Sequence, residues 1–258
     1  MNILAQVISA VQQAGQAVLE LYQAQDLQVN QKSNQTPVTQ ADLTAEKILQ
    51  QELASFGYAW LSEESQDDLA RLNQDLVWVV DPLDGTRDFI AQTDEFTIMV
   101  ALVSQNRPIL GVVYQPPTKT LYWAKQNQGA FKKIADQSKQ KLQVSSINKF
   151  TQARILVSRH HRLAADEDFI KKHHINQVVS CGSAGLKACL VADGQAELYL
   201  NSSDRTHEWD ICAADIIINE AGGELIDLTG EKFIYNQANT SNLNGFIFNN
   251  GQLKIALK

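Results

Sequence analysis

The chain has 258 residues, 44% hydrophobic and 20% charged, which suits a globular protein with a full core in one large or two small domains. With 22 basic against 29 acidic residues the net charge is −7, which excludes the broad basic footprint that a nucleic-acid polymer requires. No apolar run approaches the ~20 residues of a membrane helix, and the N-terminus has neither the basic start nor the separate apolar block of a signal peptide.

Leu4, Val7, Ile8, Val11, Val18 and Tyr22 recur in steps of three, four and seven, which predicts a helix over the first 22 residues. A polar loop, NQKSNQ (30–35), follows. Thr39, three residues before Asp42, is placed to cap a second helix through AEKILQQELASF. YAWLSEES is a short segment leading into a charged loop that ends near Asp75. LVWVVD (76–81), FTIMVALVS (96–104), ILGVVYQ (109–115) and TLYWAK (120–125) carry the β-branched and aromatic residues of strands. Turn-like breaks separate them, and they predict an antiparallel run to about residue 145.

Beyond that point the elements alternate. RILVS (154–158) reads as a strand, DEDFIKKHH as a helix and NQVVS as a strand. GSAGLKACLVADGQ reads as a helix ending near Gly194, AELYL as a strand, and WDICAADIIINEAGG as a helix stopped by Gly222 and Gly223. ELIDL and GFIFN are strands, with the polar loop YNQANTSNLN (235–244) between them. Such alternation predicts an α/β layer. A soft boundary near residue 146 divides the chain into 1–145, α+β, and 146–258, α/β, sharing one long interface. Cys181, Cys189 and Cys212 are odd in number and far apart, so they read as free thiols in a reducing, cytoplasmic setting.

The informative stretch is WVVDPLDGTRDF (78–89), where an apolar strand runs straight into acids. Strand ends are where α/β proteins keep their sites. A Pro-Leu turn between Asp81 and Asp84 can aim both carboxylates and the Leu83 carbonyl at one point. Hard cations such as Mg²⁺ want such oxygen ligands. Gly85 and Thr86 open a turn or helix whose N–H groups suit a phosphate. Two more acidic places stand out. In Ser62-Glu63-Glu64-Ser65 the acids are ligands or a solvated pair on equal terms. Asp210 follows Trp209 in the first turn of an apolar helix, where an acid is also favourable as a helix start.

Together SEES, DPLDGTRDF, EWDICAADIIINEAGG and NQTPVTQADLTAE, in that family's order, resemble the inositol monophosphatase superfamily of Mg²⁺-dependent, lithium-sensitive phosphatases. The resemblance implies a layered α-β-α-β-α sandwich of the inositol monophosphatase and fructose-1,6-bisphosphatase type. It implies Glu63, Asp81 and the Leu83 carbonyl around one Mg²⁺, and Asp81, Asp84 and Asp210 around a second. Glu63 would reach a third ion through water. Thr86, paired with Asp42, would orient and help deprotonate the attacking water, and the Gly85 and Thr86 amides would bind the phosphate, with Asp210 facing it.

Within the superfamily, TRDF, DEFTI, VSRHH (157–161) and CGSAGLKACLVADGQAELY (181–199) resemble the 3′(2′),5′-bisphosphate nucleotidase branch, which removes the 3′-phosphate of adenosine 3′,5′-bisphosphate to give AMP. That likeness puts His161 on the substrate side and turns Ser183 and Lys187 toward the nucleotide or its 5′-phosphate. Lys187 and Arg205 are the candidate cations for a second phosphate. The chain departs from the branch at GSAGLK, one residue longer than its GSSLK, and at Leu200-Asn201, where the branch often has Pro-Arg. NEAGG is closer to inositol monophosphatases. A phosphatase for inositol or sugar phosphates is therefore the near alternative. A non-catalytic binding module is the distant one, against which the full set Glu63, Asp81, Asp84, Thr86 and Asp210 counts. Nothing in the sequence fixes the oligomeric state.

Overall fold

The computed structural model describes residues 2–24, 29–31 and 37–255. The chain opens with helix α1 (Ile3–Ala24), a short antiparallel pair β1 (Val29–Gln31) and β2 (Pro37–Thr39), and helix α2 (Gln40–Leu53). The expected polar loop at 30–35 is thus partly strand at 30–31, and the rest of it lies outside the described residues. Thr39 caps α2 as its position suggested, its hydroxyl accepting from the Ala41 N–H.

Seven strands follow in one sheet, in sequence order: β3 (Ala59–Ser62), β4 (Leu76–Asp84), β5 (Thr97–Ser104), β6 (Arg107–Gln115), β7 (Thr120–Lys125), β8 (Ala130–Ile134) and β9 (Gln140–Lys141). All neighbours are antiparallel except β3 and β4, which run parallel. The short helix α3 (Thr86–Ile90) hangs from the end of β4. The second half supplies β10 (Arg154–Ser158), α4 (Ala164–Lys172), β11 (Gln177–Cys181), α5 (Ala184–Ala192), β12 (Leu198–Asn201), α6 (Cys212–Glu220), β13 (Glu224–Asp227) and β14 (Phe246–Asn249). Its sheet has the order β11-β10-β12-β14-β13, with β10 parallel to both β11 and β12 and the remaining pairs antiparallel.

Strand periodicity sorts the side chains into three cores. Along β4, Trp78 and Val80 join the core under α1 and α2, while Val77 and Val79 join the one that holds α5 and α6. The second sheet does the same: Tyr199, Phe246 and Phe248 face α5 and α6, and Ile155, Val157, Leu198 and Ile247 pack with Ile170 of α4. The layers are therefore α1/α2, seven strands, α5/α6, five strands and α4. Each buried side chain of this size stabilises the fold by roughly 1.5–3 kcal/mol. Gly111 lets α6 lie directly on β6, since a Cβ there would come within 2.3 Å of the Ala213 carbonyl oxygen. The three cysteines are free and buried. No described helix is long and apolar enough to cross a membrane.

Candidate active site

The site begins with an irregularity in β4. Asp81 pairs with Met99 and Asp84 with Thr97, so three steps on β4 oppose two on β5. Residues three apart in a regular strand point to opposite faces, whereas Met99 and Thr97, two apart, share one. The bulge beside Pro82, which has no N–H for the ladder, thus turns Asp81 and Asp84 to the same side. That is the side of α5 and α6.

Asp210 meets them from the other half. It does not occupy the first turn of α6 as the sequence suggested. A separate 3-10 turn, Glu208–Asp210, precedes the helix, and Ile211 at φ −128° breaks the two apart. Asp210 accepts from the His207 N–H at 2.6 Å, which fixes the corner. One carboxylate oxygen from each of Asp81, Asp84 and Asp210 then lies within 4.8 Å of the others.

Asp81 is buried and accepts from the Leu83 N–H at 3.0 Å. Loss of solvent, and then the charges of Glu63, Asp84 and Asp210, hold its carboxyl well above the usual carboxylate range. Asp84 is ringed by hydrogen-bond donors. Ser183 Oγ donates to it at 2.5 Å, the Gly185 N–H at 2.7 Å and the Ala184 N–H at 3.1 Å, with Thr97 Oγ1 at 3.3 Å. An acid from β4 therefore caps the first turn of α5. Buried carboxylates crowded this closely, with oxygen donors only, fit a hard divalent cation, whose charge would relieve their repulsion.

Gly85 stands at φ +96°, and a Cβ there would be 3.0 Å from the Glu95 carbonyl oxygen. Thr86 follows, its hydroxyl 3.1 Å from Asp42 Oδ1 and 3.2 Å from the Leu83 carbonyl oxygen. The second oxygen of Asp42 accepts from the Thr39 N–H and hydroxyl, at 2.7 and 2.6 Å, completing the capping box of α2. Burial and the Glu63 charge raise the pKa of Asp42. Glu63 follows the end of β3, its N–H donating to the Val80 carbonyl at 3.3 Å. It lines the cleft outside the three-acid group.

Glu46 carries no role in the sequence reading, yet it holds that segment. One turn after Asp42 on α2, it accepts from Trp60 Nε1 at 3.0 Å, Ser62 Oγ at 2.8 Å, Gln50 Nε2 at 2.9 Å and the Ser65 hydroxyl. Both serines of SEES are thereby tied to one buried carboxylate, with Glu63 and Glu64 between them. The i, i+4 spacing from Asp42 is the signal that could have found it.

The cleft over the acids measures about 640 Å³ and is edged by Arg87, His160, His161 and Arg205. Arg159 is structural: Nε meets Asp88 at 3.1 Å and Nη2 meets Glu95 at 2.5 Å. His160 Nε2 also lies 3.3 Å from Asp88, so the SRHH loop is stitched to α3, the short helix that follows the strand carrying the acids. His161 stands on the rim. Partial burial, then the positive charges of Arg87, His160, Arg205 and Lys187, push its pKa down.

Two residues expected on the substrate side have polar atoms that already meet partners within the protein. Ser183 and Lys187 line the cleft, but the Ser183 hydroxyl is spent on Asp84. Lys187 is 2% exposed, and its ammonium donates to the carbonyls of Cys181, Gly182 and Ser183 at 3.2, 3.1 and 2.6 Å. The sequence could not show this, because α5 is apolar on nearly every side and gives no sign of which face looks out.

With that geometry in view, the chain belongs to the inositol monophosphatase family, whose model matches residues 2–251. Among its relatives is the protein named 3′(2′),5′-bisphosphate nucleotidase CysQ of Haemophilus influenzae, 35% identical over 93% of this chain and 89% of that one. The crystal structure of CysQ from Bacteroides thetaiotaomicron, a bacterial member of the inositol monophosphatase family, superposes with a TM-score of 0.82 at 32% identity, covering 96% of each chain. The Thermotoga maritima IMPase TM1415 also gives a TM-score of 0.82, at 25% identity over 98% of this chain and 93% of that one.

Proposed function

We propose that this protein is a Mg²⁺-dependent phosphomonoesterase that removes the 3′-phosphate of adenosine 3′,5′-bisphosphate to give AMP, with in-line attack by water. The observation that carries this reading is the meeting of Asp81, Asp84 and Asp210 beside the Thr86–Asp42 pair, beneath a cationic rim. Likeness to the bisphosphate nucleotidases supports the substrate. Glu63, Asp81 and the Leu83 carbonyl would hold one ion, and Asp81, Asp84 and Asp210 a second, with room for a third near Glu63. Mg²⁺ bound there would neutralise phosphate oxygens, lower the pKa of a water and stabilise the leaving alkoxide.

The protein's own groups do the rest. The Thr86 hydroxyl, held by Asp42, accepts a hydrogen bond from the attacking water and aligns it, and its proton can pass on to Asp42, whose raised pKa suits it to receive one. The Gly85 and Thr86 amides face the phosphate. His161 and Arg205 take the nucleotide side and its second phosphate, in place of Lys187, whose ammonium is already engaged. That withdrawal of Lys187, together with the GSAGLK and NEAGG segments, favours one second reading, a phosphatase for inositol or sugar phosphates on the same machinery.

Initial rates of phosphate release with Mg²⁺ decide between them, comparing adenosine 3′,5′-bisphosphate, inositol 1-phosphate and fructose 1,6-bisphosphate with and without lithium. The expected result is a strong preference for the nucleotide, lost with lithium. Preference for inositol 1-phosphate establishes the second reading, and no metal-dependent release from any ester rules out both.

A further inference from the structure

We infer that Arg71 is a positioning residue for Asp210, acting through a strap of chain at residues 235–237 and through Glu208. The inference rests on the proposed Mg²⁺ site, and its main readout needs no ester. Arg71 lies in a short 3-10 turn, Ala70–Asn73, within the loop between Glu63 and β4. It is 2% exposed, and a buried guanidinium demands partners. Its Nε and Nη2 meet Asp67 of its own loop, at 3.1 and 2.7 Å. The same group also reaches far along the chain. Nη1 donates to Asn236 Oδ1 at 2.7 Å, and Nη2 to the Gln237 carbonyl at 2.9 Å. The Asn236 side-chain amide donates back to the Arg71 carbonyl at 3.3 Å.

Glu208, also buried, holds the same two residues by their other groups. Its carboxylate accepts from the Asn236 N–H at 2.7 Å and the Gln237 N–H at 2.8 Å. The strap is thus gripped between a buried guanidinium, which takes its oxygens, and a buried carboxylate, which takes its N–H groups. The two charges attract one another across it. Tyr235 fixes the near end of the strap. Its N–H donates to the Asn106 carbonyl at 3.0 Å, and its hydroxyl to Asp215 of α6 at 2.9 Å. Glu208 also donates its own N–H to the Thr240 carbonyl at 2.9 Å. Glu208 opens the three-residue turn that Asp210 closes, so Asp210 is aimed from an anchored start. Without the guanidinium, the strap loses one wall and Glu208 is left as a buried charge with its counter-charge gone. The corner bearing Asp210 then loosens, while Asp81 and Asp84 stay held by β4.

The test is Mg²⁺ binding by calorimetry on substrate-free protein, comparing wild type, Arg71→Met and a control, Arg154→Met. Arg154 pairs with the buried Glu197 at 2.6 Å, outside the residues that line the cleft. Its loss should lower stability without reaching the acids. We expect Arg71→Met to weaken Mg²⁺ binding about tenfold, the control to leave it as in wild type, and both to lower the melting temperature. The loss of phosphate release in Arg71→Met should also shrink as Mg²⁺ is raised. Wild-type Mg²⁺ affinity in Arg71→Met overturns the proposal. So does a control that weakens binding as much, because the loosening is then general. Should Arg71→Met not fold, Asn236→Gly carries the test. It removes the acceptor of Arg71 Nη1 and keeps both backbone N–H groups on Glu208, and glycine suits the φ of +61° there. Binding about threefold weaker in that variant supports the proposal, and unchanged binding overturns it. Wild-type protein that binds Mg²⁺ but releases phosphate from no ester refutes the proposed activity alone, because calorimetry does not depend on the ester. Wild-type protein that binds no Mg²⁺ overturns both.

Discussion

The floor and the rim of the cleft come from different stock. The floor is acidic and buried or half-buried, and apart from Asp210 it is written within Asp42–Thr86, on α2, the end of β3, β4 and the start of α3. The rim is cationic and exposed, and comes mainly from loops of the second half, around His160, His161 and Arg205. A floor held by strand register and helix caps has little freedom to vary without losing the fold. A rim on loops can change its grip with small local changes. The contrast predicts that the chemistry and the choice of substrate should separate cleanly under mutation.

The largest effect should follow from Asp81→Asn. It removes a charge from the centre of the acids, and kcat should fall by about a thousandfold or more on every ester. Stability should move the other way. A carboxyl whose pKa is higher folded than unfolded costs stability as pH rises from the ordinary carboxylate range through the raised value. The amide escapes that loss, so metal-free Asp81→Asn should melt above metal-free wild type at pH 7.5, and Mg²⁺ should shift only the wild type appreciably. A lower melting point for the variant would mean that Asp81 is held by contacts other than those described.

Glu46→Gln should have a middle-sized effect. It sets an amide N–H₂ against the Trp60, Ser62 and Ser65 donors. Loss of those bonds should cost about 1–3 kcal/mol, or several degrees in melting temperature. Half-maximal activation should need about tenfold more Mg²⁺, because the segment bearing Glu63 loosens. Activation at the wild-type Mg²⁺ concentration would break the link between that segment and the floor. The smallest effect is expected on the rim. Arg205→Ala should raise KM for adenosine 3′,5′-bisphosphate about tenfold, about 1.4 kcal/mol, and leave adenosine 3′-monophosphate nearly unchanged. An equal rise for both would place the second phosphate elsewhere.

The same contrast explains what could be read from the sequence. The acids of the floor sit in short, fixed spacings such as Asp81-Pro-Leu-Asp84, and that spacing survives into structure because the bulge that aligns the two acids is itself local to Pro82. Strands from LVWVVD to TLYWAK were legible for the same reason, since alternation and β-branching act locally. Their antiparallel run was legible too, but the more distant pairings were not. The parallel partner β3 has only Ala59–Ser62, too short for a period to show, and the order β11-β10-β12-β14-β13 depends on contacts far apart in the chain. For Lys187 the resemblance gave a direction, toward the nucleotide, but the three backbone carbonyls around its ammonium come from a corner whose shape no local spacing announces.

Asp84 and its donors Ser183, Ala184 and Gly185 are 99 to 101 residues apart. The floor cannot exist until both sheets have formed and α5 has docked, so the proposed Mg²⁺ site would be among the last things the folding chain acquires. Contacts absent from the transition state slow escape from the native state without hastening arrival. Mg²⁺ should therefore lower the unfolding rate and leave the refolding rate alone, which stopped-flow measurements with and without the ion would read directly. On the proposed reading the ion would be a lock turned after the door has closed.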